Sequence, residues 1–378
     1  MKKIALIGST GSIGKQTLNV VSRHPDKFKI VSLAAGENAA LLSEQIKKFS
    51  PLVATCAKEI DEKEKGVEYF FGENAFKSAI IKEADVVVIA LVGFKGLIAV
   101  MDAIEKGKNI ALANKESLVV GGELVMKRAK EKGVKIYPID SEHSAIWQSM
   151  SFDFNKPVRR VILTCSGGAF RDYDMDRLKT ATAKDALIHP NWNMGAKITI
   201  DCATLVNKGF EVIEAHHLYG LPFSKIDVII HKESIIHSMV EYEDSSVIAQ
   251  MSYPTMEIPI QTALTAPERI NSGIKSLNFA DIGKLTFCAP DKKRFPALDL
   301  VIKAGEKGGG YPAVVNGANE EAVRLFMRNK IRFTDIYEGL KGAFDAYEKT
   351  AAKPMKTIED YTAANDFGAE YIRKKYGE

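Results

Sequence analysis

Cysteine is scarce in this chain, with four residues among 378 and no C-x-x-C pair. Their wide spacing argues against a zinc site or a disulfide framework. No stretch approaches the about 18 apolar residues of a membrane span, and the apolar run after the first two lysines is too short for a signal peptide. These absences predict a soluble, cytoplasmic protein that contacts no membrane.

An excess of charge of one sign is also nearly lacking: 52 Lys and Arg face 48 Asp and Glu, for a net charge of +4. The basic residues form no stripe interleaved with aromatic residues, so the sequence does not favour a nucleic-acid partner. Small anionic ligands remain open. The length and the 46% of hydrophobic residues predict two or three domains with packed cores.

The N-terminal part of the chain shows a regular alternation of strand and helix patterns. In the first 140 residues, short β-branched runs alternate with amphipathic helical patterns. The predicted strands are KIALIG, FKIVSLAAG, DVVVIALVG, KNIALANK and VKIYPID. Alternation of this kind predicts an α/β fold with a Rossmann-like, doubly wound parallel sheet.

The pattern changes beyond residue 140. VRRVILTCSGG, KITIDCATL, KIDVIIH and IIHSMVEYEDSSVIAQM predict strands, the last as a hairpin that turns near Asp244. This combination indicates a central α+β domain. After about residue 295 the patterns are helical, with Pro312 in a first turn, which predicts a C-terminal helical bundle.

Three glycines spaced by three, GSTGSIG at 8–14, follow the first predicted strand and precede a helix. Glycines allow the backbone to approach a pyrophosphate, and the helix N-terminus attracts its negative charge. The spacing differs from the commoner G-x-G-x-x-G, and an ordinary βα turn is the alternative.

The second predicted strand ends in AAGEN, where such folds bind the adenosine ribose. The acid of Glu37 suits the free 2′-hydroxyl of NAD. An exposed glutamate in a simple turn explains the pattern equally well.

Acidic residues follow another predicted strand, in PIDSEHSAIWQSM. Asp140 and Glu142 could bind a ligand there, or Asp140 and Ser141 could cap the next helix. In DCATLVNKGFEVIEA, Asn207 and Glu211 lie four apart on one helix face. Three carboxylates suit a hard cation such as Mg²⁺ or Mn²⁺.

Two loops also carry candidate residues. HPNWNMG, at 189–195, places Trp192 in a segment without regular periodicity, either as a buried anchor or on a mobile lid. SGGAF, at 166–170, is typical of an anion-binding turn, with Ser166 as a donor. The pairs His216–His217 and His231/His237 are interpreted as structural.

These segments, together with ANKESLV, DSEHSAIWQ, SGGAFR, SGIKSLNF and NGANEEAV, resemble the 1-deoxy-D-xylulose 5-phosphate reductoisomerase family over essentially the whole chain. The resemblance implies a homodimeric enzyme that uses NADPH and a divalent metal (Mn²⁺, Mg²⁺ or Co²⁺). It implies isomerisation and reduction of a sugar phosphate to 2-C-methyl-D-erythritol 4-phosphate in non-mevalonate isoprenoid synthesis. A simple nicotinamide-dependent sugar-phosphate dehydrogenase and a non-catalytic NADP-binding regulator are the alternatives, and neither gives the acidic trio a task.

The resemblance also implies residue roles. The implied cofactor-binding residues are Thr10, Gly11, Ser12, Ile13, Gly36, Glu37, Asn38, Asn114, Lys115, Glu116 and Gly195. The implied metal ligands are Asp140, Glu142 and Glu211. The implied substrate contacts are Ser141, Glu142, Ser166, His189, Trp192, Cys202, Asn207, Lys208 and Glu211. The implied catalytic residues are Lys115, Glu142, His189 and Lys208.

Two residues depart from the family's pattern. Cys202 occupies a position where the family usually has a phosphate-binding serine, and a thiol is a weaker donor, so we expect weaker phosphate binding. Glu37 replaces a residue that is often basic, which predicts a less strict preference for NADPH.

The predicted domains follow from the patterns and the resemblance together. They are an NADPH-binding Rossmann-like domain at 1–140, a catalytic and dimerisation domain with the lid loop at 141–285, a linker at 286–300 and a C-terminal helical domain at 301–378.

Overall fold

The computed structural model describes residues 1–192, 194–350 and 354–377, and the chain forms two compact units. The first unit comprises Met1–Ser117, Val125–Ser144 and Thr255–Ile274. The second comprises Leu118–Leu124, Ala145–Pro254 and Lys275–Glu378. The division into four parts made from the sequence stays a prediction.

Strands form two sheets. Those of the first unit are β1 (Lys2–Ile7), β2 (Phe28–Ala34), β3 (Val53–Cys56), β4 (Glu68–Phe71), β5 (Val86–Ile89), β6 (Asn109–Leu112) and β7 (Ile136–Pro138). Those of the second are β8 (Arg160–Cys165), β9 (Ile226–Ile230), β10 (Ile236–Glu241) and β11 (Val247–Met251).

The first sheet is parallel throughout, in the order β4-β3-β2-β1-β5-β6-β7. Its central strands are buried, as expected when helices cover both faces, and Ile4, Leu6 and Val88 join one core cluster. The predicted doubly wound sheet is confirmed, with the short strands β3 and β4 in addition. The strand order reverses beside β1, between β2 and β5, and ligands bind at such switch points.

The second sheet is mixed, in the order β11-β10-β8-β9. Strands β10 and β11 form the predicted antiparallel hairpin, and β8 and β9 run parallel. The α+β character predicted for the central region is confirmed.

Helices occupy the remaining regular segments. They are α1 (Ser12–Arg23), α2 (Ala39–Phe49), α3 (Lys95–Glu105), α4 (Glu116–Lys132), α5 (Ser141–Ser149), α6 (Met175–Thr180), α7 (Ala183–Ala186), α8 (Ala196–Thr204), α9 (Val206–Tyr219), α10 (Glu257–Thr265), α11 (Phe279–Ile282), α12 (Ala297–Lys307), α13 (Tyr311–Met327), α14 (Phe333–Glu348) and α15 (Ile358–Tyr376). The described part of the C-terminal region holds α12–α15, with Pro312 in the first turn of α13, as predicted.

One predicted strand is wrong. The segment KITIDCATL forms helix α8, although its β-branched residues alternate with polar ones. Packing decides the conformation, because α8 lies against α9 and α13. Asp201 is 2% exposed and accepts a hydrogen bond from Asn319 on α13 at 2.8 Å, while Lys197 pairs with it one turn away at 2.9 Å. The pair with Lys197 needs helical spacing, and the bond from Asn319 ties α8 to α13.

In the part of the chain that the structure describes, no helix combines the length and the apolar character needed to cross a bilayer.

Candidate active site

The glycine turn lies where β1 meets α1, at the switch point of the first sheet. Gly8 has φ +95°, and a Cβ there would lie 2.6 Å from the Ala90 carbonyl oxygen. A Cβ at Gly14 would lie 2.2 Å from the Gly8 oxygen. Only glycine fits at either position, because the colliding atoms are backbone. The turn therefore brings the start of α1 unusually close to the end of β1.

The first amides of α1 are suited to an anion. Gly11 is the N-cap and has no side chain to cap the helix. The amides of Ser12 and Ile13 have no carbonyl partner within the helix, because the first turn precedes the i−4 ladder. Together with the positive end of the helix dipole, they can bind a phosphate group.

Asn114, Lys115 and Glu116 follow β6 and are buried, at 1%, 6% and 7% exposed. The Asn114 amide donates to the carbonyls of Leu91 and Gly93 at 3.1 Å each and to Glu116 Oε2 at 3.0 Å. The Lys115 ammonium lies 2.6 Å from Asp140 Oδ2. Asp140 follows β7, the next strand of the sheet, so the carboxyl edge of neighbouring parallel strands brings these side chains together.

Gly96 supports this arrangement from α3. A Cβ there would lie 1.9 Å from Asn114 Oδ1, so a larger residue would displace the Asn114 side chain. Sequence reasoning did not single out Gly96, because its role depends on a residue that is distant in the sequence.

The structure supports the capping interpretation of the DSE segment, and ligand binding by Asp140 and Glu142 stays a prediction. The Asp140 carbonyl accepts from Ser144 N at 2.8 Å, and its Oδ1 accepts from Ser141 N at 3.0 Å, so Asp140 begins helix α5. The Ser141 hydroxyl donates to Glu142 Oε2 at 2.6 Å. Asp140 therefore uses Oδ1 to cap the helix and Oδ2 to pair with Lys115.

Helix α9 carries a second acidic group within the second unit. Asn207 and Lys208 both donate hydrogen bonds to the Glu211 carboxylate, one to each oxygen. Lys208 and Glu211 are 2% and 1% exposed. The predicted same-face relation of Asn207 and Glu211 is confirmed. The buried carboxylate is compensated by a lysine, as a charge away from water must be.

Ser166 and His189 form the core of the glycine-rich turn after β8. The Ser166 hydroxyl lies 3.0 Å from His189 Nε2 and accepts from Gly168 N at 3.1 Å. The His189 Nδ1 accepts from the amides of Asn191 and Trp192 at 3.2 and 2.9 Å. Because Nδ1 is an acceptor, the neutral ring carries its proton on Nε2 and donates it to Ser166. The Ser166 hydroxyl proton then points away from His189 and can be donated to another acceptor.

Arg171 holds this turn in place. One guanidinium nitrogen donates to the Ser166 carbonyl at 3.1 Å and to the Lys232 carbonyl at 3.2 Å. Burial of the ring, and then the positive charge of Arg171, lower the pKa of His189 to about 4. Sequence reasoning quoted Arg171 within SGGAFR but gave it no role. Its position as a cation beside a glycine turn was the signal.

We expect His189 to remain neutral, with its proton on Nε2, down to about pH 5, against an ordinary histidine pKa of about 6.5. The unfolded chain binds a proton at this ring between the two pKa values while the folded chain does not. The stability that the ring contributes is therefore complete above about pH 6.5 and is lost as the pH falls through about 4. Nitrogen NMR of the imidazole, assigned with His189→Gln, measures the pKa of the ring and the nitrogen that carries the proton. A ring that titrates at the ordinary pKa would contradict the assignment.

Trp192, Gly195 and Cys202 lie on the loop and helix that follow. The Trp192 indole meets the His237 ring edge-on, with 6.0 Å between ring centres. Gly195 is the N-cap of α8, and Cys202 lies within that helix. The loop therefore contacts the second sheet through Trp192, which is half-buried, so the anchor interpretation also stays a prediction. Closure of the loop as a lid stays a prediction, and Asn193 lies outside the described residues.

Gly36, Glu37 and Asn38 are exposed between β2 and α2. Asn38 is the N-cap of α2 and accepts from Leu41 N at 3.1 Å. Glu37 pairs with Lys58 at 3.1 Å. The turn therefore carries both a carboxylate and an ammonium group at its surface.

Models of one family match three parts of the chain. They are described as 1-deoxy-D-xylulose 5-phosphate reductoisomerase, matching residues 4–122, its C-terminal domain, matching 136–219, and the DXP reductoisomerase C-terminal domain, matching 251–369. A reductoisomerase of this name from Geobacter metallireducens is 47% identical, with both chains covered completely. The one from Pelodictyon phaeoclathratiforme is 49% identical over 99% of each chain. The chain belongs to the 1-deoxy-D-xylulose 5-phosphate reductoisomerase family.

Solved structures of reductoisomerases agree. The Zymomonas mobilis enzyme in complex with NADPH is 38% identical, with a TM-score of 0.92 over 100% of this chain and 99% of that one. A DOX-P reductoisomerase in complex with NADPH, fosmidomycin and magnesium is 35% identical, with a TM-score of 0.93 over 100% and 98% of the two chains.

The reductoisomerase residues predicted from the sequence fall into two groups. The first unit holds the glycine turn, the Glu37 turn and the group of Asn114, Lys115, Glu116, Asp140, Ser141 and Glu142. The second unit holds the Ser166–His189 pair, the Asn207–Lys208–Glu211 group, Trp192, Gly195 and Cys202. Contacts join Asn114 to Glu116, Lys115 to Asp140, Ser141 to Glu142, Ser166 to His189, and Asn207 and Lys208 to Glu211. The roles of these residues stay predictions.

Proposed function

We infer that this chain catalyses the family's reaction, the isomerisation and NADPH-dependent reduction of 1-deoxy-D-xylulose 5-phosphate to 2-C-methyl-D-erythritol 4-phosphate. The inference is carried by relatives of this name that align over nearly the full length at 45% to 49% identity. A solved structure of DOX-P reductoisomerase was obtained in complex with NADPH, fosmidomycin and magnesium. Each group of side chains described above has a task in this reaction.

NADPH fits the first unit. A Cβ at Gly8 or Gly14 would collide with a backbone carbonyl oxygen, so only glycine allows this tight turn. We propose that Thr10, Gly11, Ser12 and Ile13 hold the pyrophosphate through backbone amides and hydroxyls. Gly36, Glu37 and Asn38 lie at the adenosine end. Asn114, Lys115 and Glu116 border the nicotinamide, and Gly195 is a further proposed cofactor contact. When bound, the cofactor supplies the hydride.

A divalent metal fits the carboxylates. Their oxygen donors suit Mg²⁺ or Mn²⁺, and we propose Asp140, Glu142 and Glu211 as metal ligands. When bound, the ion supplies Lewis acidity to a substrate carbonyl and neighbouring hydroxyl.

The phosphate of the substrate fits the second unit. The Ser166 hydroxyl donates away from His189, and Lys208 and Asn207 supply an ammonium group and an amide on α9. Ser141 is a further proposed contact to the sugar phosphate, the Cys202 thiol is a weaker donor, and Trp192 covers the sugar. Because the phosphate does not react, its binding energy positions the carbons that do.

Four residues are the catalytic residues of this proposal. Glu142, which accepts from Ser141 at 2.6 Å, takes up a proton from a substrate hydroxyl. Lys115, buried beside Asp140, stabilises negative charge on a substrate oxygen. His189 and Lys208 hold the phosphate end, and closure of the Trp192 loop excludes water.

The assembly and the compartment belong to the same proposal. We propose a homodimer that works in the cytoplasm. The edge strand β11 supports the dimer, because Val247 and Ile248 are 49% and 47% exposed along it. An exposed apolar edge strand can pair with a second chain.

The decisive experiment removes the metal. We expect enzyme treated with EDTA and freed of the chelator to oxidise NADPH, in the presence of 1-deoxy-D-xylulose 5-phosphate, at least about tenfold more slowly than the same enzyme with Mn²⁺ added back. The loss of NADPH absorbance measures the rate, and chromatography identifies the product. Light scattering on the same preparation tests the dimer, which a mass of 41.6 kDa would contradict.

Other outcomes point elsewhere. Equal rates with and without metal would favour a simple dehydrogenase and remove the task proposed for the acidic trio. Binding of NADPH without turnover under any condition would favour a regulator.

A further inference from the structure

The strands β2 and β3 continue to pair beyond their assigned ends. Ala35 N donates to the Thr55 carbonyl at 2.9 Å, and Ala57 N donates to the Gly36 carbonyl at 2.8 Å. The Cys56 thiol also donates to the Gly36 carbonyl at 3.1 Å. These bonds fix the turn after β2 against the loop after β3.

This pairing brings Lys58 to Glu37. The Lys58 Nζ lies 3.1 Å from Glu37 Oε2, and the two side chains are 65% and 77% exposed. Exposed pairs of this kind contribute little to stability, so Lys58 can exchange partners at low cost. The ammonium group therefore lies at the turn but is only weakly bound to Glu37.

Glu37 follows the second strand of the doubly wound sheet, a position with a known role in cofactor recognition. The residue after the second strand meets the ribose 2′-position, where an acid suits a free hydroxyl and a basic group accommodates a phosphate. Glu37 alone would repel a 2′-phosphate, because both are negative. A cation beside Glu37 removes this conflict.

We propose that Lys58 determines the preference of this enzyme for NADPH. Its ammonium group breaks the contact with Glu37 and binds the 2′-phosphate of the cofactor. The proposal rests on the NADPH-dependent function inferred above and concerns a residue outside the segments that carry the family resemblance. An ammonium–phosphate contact is charge-assisted, whereas the ammonium–carboxylate contact that it replaces is exposed and weak. Glu37 then turns to solvent or to a ribose hydroxyl.

The test measures binding, separately from turnover. Dissociation constants for NADPH, NADH and 2′,5′-ADP are measured by fluorescence or calorimetry with the full-length enzyme. Lys58→Gln is expected to weaken NADPH and 2′,5′-ADP about tenfold, and NADH less than about twofold. Glu37→Gln is expected to strengthen NADPH about threefold, because one negative charge near the phosphate is lost.

Lys47→Gln is the matched control. Lys47 pairs with Glu62 at 3.0 Å, with side chains 53% and 78% exposed, and Glu62 belongs to the same loop as Lys58. The control removes an equivalent ion pair to this loop from the end of α2. It should leave both dissociation constants unchanged.

The outcomes separate the two levels of inference. If Lys58→Gln weakens NADPH and NADH equally, or neither, the role of Lys58 is wrong while the proposed function stands. If Lys47→Gln reproduces the effect, loop order rather than a phosphate contact sets the preference, and the proposal is overturned. If the unaltered enzyme binds no NADPH, the proposed function itself fails.

Discussion

Replacing Glu211 with glutamine is expected to lower kcat/KM about 1000-fold, which corresponds to about 4 kcal/mol of transition-state stabilisation. Glutamine keeps the shape of the side chain and removes its charge, so the proposed metal site would lose a negative ligand. Mn²⁺ binding, measured by electron paramagnetic resonance, should weaken in parallel. Turnover and metal affinity near those of the unaltered enzyme would exclude Glu211 as a ligand.

The same replacement also affects stability. Lys208 is 2% exposed and would lose its carboxylate partner, a change that costs about 3 to 5 kcal/mol when a buried pair is broken. Thermal unfolding must therefore accompany the kinetics. Glu241→Gln is the control. Glu241, on β10, is also buried, at 7% exposed, and pairs with Arg160 on β8 at 2.6 Å. It should lose stability without losing Mn²⁺ affinity.

Replacing Gly14 with alanine is expected to raise the dissociation constant of NADPH about 30-fold and to lower the free energy of unfolding by about 3 kcal/mol. The new Cβ would lie 2.2 Å from the Gly8 oxygen and 2.5 Å from the Ser9 oxygen. Both are backbone atoms, so α1 must move away from the turn. The displaced amides of Ser12 and Ile13 then lose about 1 kcal/mol each of hydrogen bonding to the pyrophosphate.

Gly11→Ala is the comparison within the same turn. Its Cβ would lie 3.4 Å from the Gly8 oxygen, an ordinary contact, and φ is −73°. We expect an effect on NADPH binding of about threefold at most, from the poorer N-cap. Equal losses in the two variants would mean that the close approach of α1 to β1 does not govern cofactor binding.

Local features of the fold were predictable because they depend on local sequence. The β1–α1 junction is marked by the glycines of GSTGSIG, and the relation of Asn207 to Glu211 follows from helical spacing alone. The hairpin near Asp244 is bounded by turn residues. In each case the conformation is decided within a few residues of the signal.

Features decided by packing were not predictable in this way. Ile198 and Ile200 alternate as in a strand, yet Asp201 holds α8 in place through Asn319, which is 118 residues away. Gly96 matters because Asn114 lies against it, and Arg171 because it joins Ser166 to Lys232. Lys58 meets Glu37 only through the register of β2 and β3. Such pairs become visible only when the tertiary structure is known.

Among the described residues, two buried lysines neutralise carboxylates and behave as internal counter-ions. Lys115 pairs with Asp140, and Lys208 pairs with Glu211. If a divalent cation binds these carboxylates, as proposed, it displaces the ammonium groups and makes them available to an anion. Binding of the cation and binding of an anionic ligand would then be coupled, each raising the affinity of the protein for the other by the same factor.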